Sequence, residues 1–421
     1  MPDAETPSRA PRAQNTRRVL DALQRKTSAT QGELVEDTRL SRGTVESIVA
    51  RLRDEDLVEA VPSRNGHARP EGGRPAHSIQ FREDAAIALS IDFGLKHVYV
   101  ARGSLSGVTR HLETDHDIDI AHNAPLALET AVDLVGGIMD GLSPSDLVGV
   151  CVGLPAPIDQ LRGQIATTRG ITSWTGLRPA DELRYRLGPD WEDVPFIMEN
   201  DTNLIALAEL NFGAAKPVTS SLQDVVIVLK WSDGVGAGLL VDGDLIVGHR
   251  GVALEFGHTC IPSPPSDIKA TRCDRCGHIC LERFAGGEAL THRLRRSDDD
   301  DIDFGDVICR AVATNGHERT ELKRAAEHIG EALGSFATLV NPRLVVISGR
   351  HFGEAPNDLA AYRLVADALR TGMHKTGSPT ALEDVAIALG ERSALAAADG
   401  GVVAVLRSSL PKYLESRLVL D

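Results

Sequence analysis

Long apolar runs are missing from this 421-residue sequence. No uncharged stretch approaches the roughly 18 residues that a membrane helix needs, and the opening residues MPDAETPSRAPRAQ lack the apolar core of a signal peptide. No membrane partner and a cytoplasmic location are therefore expected. Cysteine is scarce: six residues are too few for a disulfide scaffold, yet three of them fall within eight positions, which marks a metal candidate. Lysine is nearly absent from residues 1–80, where 12 of the 13 cations are Arg. Hydrophobic content of 42% with 25% charged residues excludes global disorder and collagen-like structure, and the length implies two or three domains.

The net charge of -15 is uneven: residues 1–80 sum to +1 and residues 81–421 to -16. A near-neutral, Arg-rich block precedes an acidic one, and Arg suits forked contacts with phosphate and guanine.

Residues 1–14 are expected to be disordered. Over 15–26, Val19, Leu20 and Leu23 fall on one face of a short helix. Thr30 and Glu33 have capping-box spacing ahead of Leu34 and Val35, so a second helix starts there. Ser41 can cap a third, with Val45, Ile48, Val49 and Leu52 inward and Arg42, Gly43, Thr44, Glu46, Ser47 and Arg51 outward. That outward set suits a recognition helix: Arg42 and Ser47 as base readers, Thr44 and Arg51 as backbone-positioning residues. The Gly/Pro/Arg-rich stretch from Arg64 to Pro75 between β-like segments reads as a wing, placing Arg69 and Arg74 at a minor groove. A winged helix-turn-helix over 15–82 with a double-stranded DNA operator as partner is the expectation. A helical interaction domain or a solvated basic face is the alternative.

From Ala85 short apolar runs such as AIALSID, LVGVCVGLP, VVIVLKW and RLVVISG alternate with helical segments, including Asn123 to Gly141 and Glu321 to Leu339. An α/β class follows. A coarse duplication is visible: one strand runs into Asp92, Phe93, Gly94, and another into Asp233 and the glycines 234, 236 and 238. A facing pair of Gly-rich turns is a candidate clamp for phosphate. Cys151 and Cys309 sit in apolar surroundings and read as core, while Asp298 to Asp301 reads as a solvated loop tip.

These residues resemble the ROK family of repressors, open reading frames and kinases, over nearly the whole chain, and the DNA-binding block gives it the layout of the family's sugar-responsive repressors. Asp92 and Gly94 match the first phosphate loop, Glu199 to Asn203 the Asn-Asp motif, and Gly234, Gly236 and Gly238 the second phosphate loop. Gly248, Gly251, Ala253 and Glu255 to His258 match the signature leading to the metal site; Cys273, Cys276, Gly277, Cys280 and Glu282 match its cysteine knot; Asn341 to Gly349 match the adenine-side strand. The resemblance implies a bilobal actin-like module of ribonuclease-H type over 83–421, with a structural zinc loop at 258–282.

It further implies that His258, Cys273, Cys276 and Cys280 hold structural Zn2+ as a closed tetrahedral set. The middle cysteine is displaced by one residue from the family's usual spacing, so Cys260 stands as an alternative to Cys276. Asn200, Asp201, Glu255, His258 and Glu282 are implied to bind sugar hydroxyls, with His258 serving ion and ligand through its two nitrogens. In family kinases the residue at Asp201 takes the proton of the attacking hydroxyl. Departures fall on the nucleotide side: Leu95 and Lys96 follow Gly94 where kinases carry a small residue and Thr, Arg350 follows Gly349, and Leu254 precedes Glu255. These fit a sugar sensor with vestigial phosphate loops (Asp92, Gly94, Gly234, Gly236, Gly238). Lys96 or Lys230 still permits an anionic ligand. The expected protein is a dimeric or tetrameric sugar- or sugar-phosphate-responsive repressor. The alternatives are an active sugar kinase with an appended DNA-binding domain, and a constitutive DNA-binding protein whose second block only dimerises. Trp174 is placed either against the sugar or in the core.

Overall fold

The computed structural model describes residues 15–16, 18–20, 22–23, 26, 28–62, 77–82, 85–105, 109–113, 118–167, 170–216, 218, 222–260, 272–295, 302–352, 356–392 and 395–417. The start (1–14), the wing tip with Arg69 and Arg74, and Asp298 to Asp301 lie outside the described residues.

The described residues between 15 and 26 are helical, and Val19, Leu20 and Leu23 are buried. After β1 (Ser28–Thr30), the Thr30 hydroxyl accepts from the Glu33 amide at 3.3 Å while the Glu33 carboxylate accepts from the Thr30 amide at 2.7 Å. This reciprocal cap starts α1 (Gln31–Thr38), and Arg39 in the left-handed region ends it. Ser41 then caps α2 (Arg42–Asp54), which buries Val45, Ile48, Val49 and Leu52. The short turn between α1 and α2 makes the helix-turn-helix. β2 (Val58–Pro62) and β3 (His77–Phe81) pair antiparallel, and β3 also pairs with β1, in the order β1-β3-β2.

The body carries the duplication legible in the sequence. β4 (Ile87–Phe93), β5 (Val98–Ser104) and β6 (Thr109–Glu113) form an antiparallel meander, to which β7 (Leu147–Leu154) and β10 (Phe196–Asn200) add in parallel; β8 (Ile158–Asp159) and β9 (Gln164–Ile165) form a separate hairpin. The second sheet repeats the plan. β11 (Val225–Trp231), β12 (Val235–Val241) and β13 (Asp244–Leu245) are antiparallel, and β14 (Leu344–Ser348) and β15 (Ala386–Leu389) are parallel additions. The orders β10-β7-β4-β5-β6 and β13-β12-β11-β14-β15 are equivalent, which is the ribonuclease-H-type arrangement in both lobes.

α3 (Ala124–Ile138) and α4 (Pro179–Leu187) cover the outer face of the first sheet. Between the sheets runs α5 (Asp201–Phe212), buried from Asp201 to Leu210. α6 (Leu281–Ala285), α7 (Gly287–Leu294), α8 (Phe304–Ala313), α9 (His317–Val340), α10 (Pro356–Thr376) and α11 (Pro379–Leu382) belong to the second lobe. α12 (Ala396–Ser408) then returns beside α5, followed by α13 (Leu410–Arg417). Side chains alternate across each strand, so Val226 and Val228 face the central helices while Ile227, Leu229 and Trp231 face the outer layer. Sheets buried on both faces account for the continuous apolar runs of the sequence.

The lobes join through two crossings, from α5 into β11 and from β15 into α12. Glu209, buried on α5, accepts from the amides of Ala214 (3.0 Å) in the first and Glu391 (3.2 Å) and Arg392 (3.0 Å) in the second. α12 approaches α5 closely because it is small there: a Cβ on Gly400 would lie 1.8 Å from the Leu204 carbonyl oxygen. Backbone cannot yield cheaply, so Gly400→Ala is expected to destabilise by about 3 kcal/mol or more through overpacking, read as a lowered denaturant midpoint.

Two expectations are corrected. Gly236 and Gly238 lie on β12 rather than in a loop, and they admit α5: a Cβ on each would meet Thr202 at 2.5 Å and Ala206 at 2.7 Å. Cys309 is exposed, because α8 buries Phe304, Val307, Ile308 and Ala311 and leaves it on the opposite face. Cys151 is buried as expected. Trp174 is core: fully buried, its indole N–H donates to the Ile120 carbonyl at 2.8 Å and its ring meets Phe93 edge-on at 5.2 Å.

Candidate ligand cleft, metal corner and DNA-reading face

The parallel strands of both sheets end at one cleft, as ligand crevices do in α/β folds. Asp92 is the penultimate residue of β4 on one wall; Asn200 and Asp201 stand where β10 gives way to α5; Lys230 lies near the end of β11 and the Ser232–Gly234 turn follows that strand; Glu255, His258, Glu282 and Arg350 close it from the second lobe. The cleft therefore gathers all five residues expected at the sugar.

Asn200 is also the cap of α5. Its side-chain oxygen accepts from the Thr202 backbone amide at 2.9 Å and its side-chain NH2 donates to the Ala156 carbonyl at 3.2 Å. Beneath it Glu199 accepts from the Asn200 amide (2.8 Å) and the Asn203 side chain (2.9 Å), and burial pushes its carboxyl above the usual range. Asp201 accepts from the Thr202 hydroxyl at 3.2 Å and forms an ion pair with Lys230. Burial opposes the Lys230 charge, but the carboxylates of Asp201, Asp92 and Glu282 outweigh it and hold the ammonium above its ordinary pKa. Burial raises Glu255 to about 7, with the Arg275 cation opposing and Glu282 and Asp201 adding to the rise.

Both Gly-rich turns are filled by the protein itself. The His97 ring sits over Gly94, where a Cβ would lie 2.1 Å from it, stacks on Tyr99 at 4.1 Å, and faces Asp92 across 3.7 Å. The Glu282 carboxylate accepts from the Val235 amide at 3.1 Å and lies 2.5 Å from a Cβ built on Gly234. Amide and space that would serve a phosphate are thus engaged. Arg350 reaches across the lobes to donate to the Tyr99 hydroxyl at 2.9 Å. Local sequence does not mark His97, Tyr99 or Arg275 as cleft residues, beyond His97 following Lys96, which departs from the kinase pattern.

At the cleft's edge, one ligand atom each from His258, Cys273, Cys276 and Cys280 lies within 4.8 Å of all the others. Nδ1 of His258 is 3.8 Å from the Cys273 sulfur and 3.7 Å from that of Cys280. A tetrahedron with metal–ligand bonds of 2.0–2.3 Å has edges of roughly 3.6–3.8 Å, so the spacing fits. Burial first, and then the neighbouring thiols, pushes the Cys280 thiol up to about 12, so holding it as thiolate calls for a cation. The four side chains can bind a metal. Cys260 lies outside this group: it is exposed and makes a backbone bridge to Cys280. Nε2 of His258 points the other way, 3.8 Å from Glu255, so one ring faces metal corner and cleft together.

On the head, Arg42 and Ser47 are exposed on α2, with Arg42 donating to Glu46 at 3.0 Å. Thr44 is half-buried, its hydroxyl 2.8 Å from that of Ser41. Arg51 is half-buried rather than outward, with one guanidinium nitrogen enclosed and without a partner; flanked by buried Ile48 and Leu52, its stem follows the core side of the helix.

Fold and cleft together define a class: a winged helix carried on a two-lobed body of sugar-kinase type. The chain belongs to the ROK family, whose model matches residues 89–372, and a winged helix-turn-helix DNA-binding model matches residues 12–59. It is similar to the xylose repressor of Bacillus subtilis (strain 168), 24% identical over 336 residues that span 79% of this chain and 81% of the repressor. Among solved structures it is similar to a ROK family transcriptional regulator described as a homolog of the E. coli MLC protein (TM-score 0.72, 20% identity, 97% of this chain and 99% of that one). It is also similar to a ROK family glucokinase from Streptomyces griseus in complex with glucose and AMPPNP (TM-score 0.60, 20% identity, 77% and 100%). No described helix is long and apolar enough to cross a membrane.

Proposed function

We propose that this protein is a sugar-responsive transcriptional regulator, acting as a repressor, in which ligand binding between the lobes changes the spacing of paired winged helices. The observation that carries the reading is the asymmetry of the cleft. Its sugar side presents Asn200, Asp201, Glu255, His258 and Glu282, while its nucleotide side is filled by His97 and by Glu282 itself. The names of the relatives, repressors among them, support it. A dimer follows from operator recognition, since one winged helix reads a half-site and two-fold operators need two. Zinc is the metal that best suits a closed three-thiolate, one-imidazole corner, and its role there is structural.

Response requires that the sugar favour one lobe arrangement, because a ligand with equal affinity for both shifts nothing. The test is operator binding across panels of sugars and sugar phosphates, with ATP consumption followed in parallel. One ligand changing operator affinity without ATP turnover is the expected result. Constant affinity across saturating panels, or efficient phosphorylation of a hexose, would remove the reading. On the DNA side, Arg42→Ala is expected to cost about 1–3 kcal/mol per half-site and to relax the sequence preference there, measured by competition binding with operator variants.

A further inference from the structure

We propose that Lys230 is a tethered counter-cation of the sugar cleft, standing among Asp92, Asp201 and Glu282 where a divalent metal would otherwise be needed, so that sugar recognition requires no dissociable cation. The inference rests on the reading of the cleft as a sugar site.

Lys230 is the penultimate residue of β11. Strand alternation sends its neighbour Trp231 into the core, where the indole N–H donates to the Ala285 carbonyl at 2.8 Å, and turns Lys230 to the cleft. There its ammonium pairs with Asp201. Both oxygens of Asp201 are engaged, one by Lys230 and one by the Thr202 hydroxyl, at the N-terminal end of the 12-residue α5. The Lys230 ion pair and the Thr202 hydroxyl hold this carboxylate in place at the cleft, where it can accept a hydrogen bond from a sugar hydroxyl.

Two more carboxylates line the same cleft as this ammonium. Asp92 is 2% exposed, and its Oδ1 is enclosed without a hydrogen-bond partner. Glu282 is anchored on the Val235 amide. Carboxylates gathered in a half-buried wall repel one another unless a cation is shared among them. Lys230 supplies that cation covalently. A kinase cleft instead draws its cation in with the nucleotide, bridging phosphate oxygens; a fixed ammonium at the same wall suits a hydroxyl-bearing, uncharged face of the ligand.

The experiment compares zinc-loaded wild type with Lys230→Met and Lys230→Arg. Mn2+ binding is read by electron paramagnetic resonance, and sugar affinity by calorimetry in buffer freed of divalent cations and again with millimolar Mg2+. Wild type is expected to bind sugar equally in both buffers. Lys230→Met should bind one Mn2+ more than wild type, lose roughly 10-fold or more in sugar affinity without divalent cations, and regain part of it with Mg2+. Lys230→Arg should behave as wild type. Should Lys230→Met not fold, Lys230→Gln carries the same comparison. A folded variant with no added Mn2+ and unchanged sugar affinity overturns the assignment, as does Mg2+-dependent sugar binding by wild type. If no sugar binds wild type, the sugar reading fails while the Mn2+ comparison still judges Lys230.

Discussion

Replacing Cys280 with Ser is expected to strip the metal from the protein: stoichiometric zinc in freshly purified wild type, and little or none in the variant by elemental analysis. Cys280 is fully buried, 3.7 Å from His258 Nδ1, and its successor Leu281 donates to the Thr259 carbonyl at 3.0 Å. A metal held there would close a loop whose two ends already touch. Structural zinc contributes on the order of 10 kcal/mol to folding of small zinc domains. A body with large cores of its own should stay folded, so a loss of several kcal/mol is expected to fall on this loop. Because Glu282 lies two residues beyond Cys280 and His258 belongs to the proposed ligand set, sugar affinity is expected to fall with loss of the metal. Absence of zinc from wild type, or full zinc in Cys280→Ser, would dispose of the site.

The second large effect is expected at Asp201. Asp201→Ala removes a proposed sugar acceptor together with the ion-pair partner of Lys230, leaving Asp92 and Glu282 near the half-buried ammonium. Breaking such a pair from one side costs about 3 kcal/mol, and losing a charged hydrogen-bond acceptor should weaken sugar binding by roughly 10- to 100-fold. The two contributions separate in the double variant Asp201→Ala/Lys230→Met. Removing the ammonium as well should restore part of the melting temperature, since Asp92 and Glu282 then lose their shared cation, and none of the sugar affinity. A single variant that keeps wild-type stability would mean the ion pair carries no weight; recovery of sugar affinity in the double variant would mean Asp201 does not touch the ligand.

Local signals were the most legible. The Thr30–Glu33 box, the Ser41 cap and the inward set of α2 need only near neighbours in sequence, and each is present. The α/β alternation and the twin Gly-rich turns follow from strand and turn chemistry, and the equal topology of the two sheets agrees with them. The thiol spacing was readable for a similar reason, since one short loop supplies three ligands. What stayed hidden depends on distant segments meeting. Nothing near Gly94 says that His97 folds back over it, and nothing near Gly236 says that the space above belongs to Thr202 rather than to a phosphate. The Lys230–Asp201 pair spans two lobes' worth of folding, and the short apolar neighbourhood of Cys309 does not reveal which side of its helix faces out.

The carboxylate of Glu209 gathers amides from both places where the chain passes between lobes. If the lobes close on a sugar as proposed, Glu209 is placed to act as the pin of a hinge. Displacement during closure should be smallest at Glu209 and grow with distance from it, so a rotation of a few degrees set by a sugar is magnified along the body before it reaches the winged helices. In a dimer of the kind proposed, stiffness at the pin and reach at the head would set how far apart the two recognition helices are carried by one small ligand.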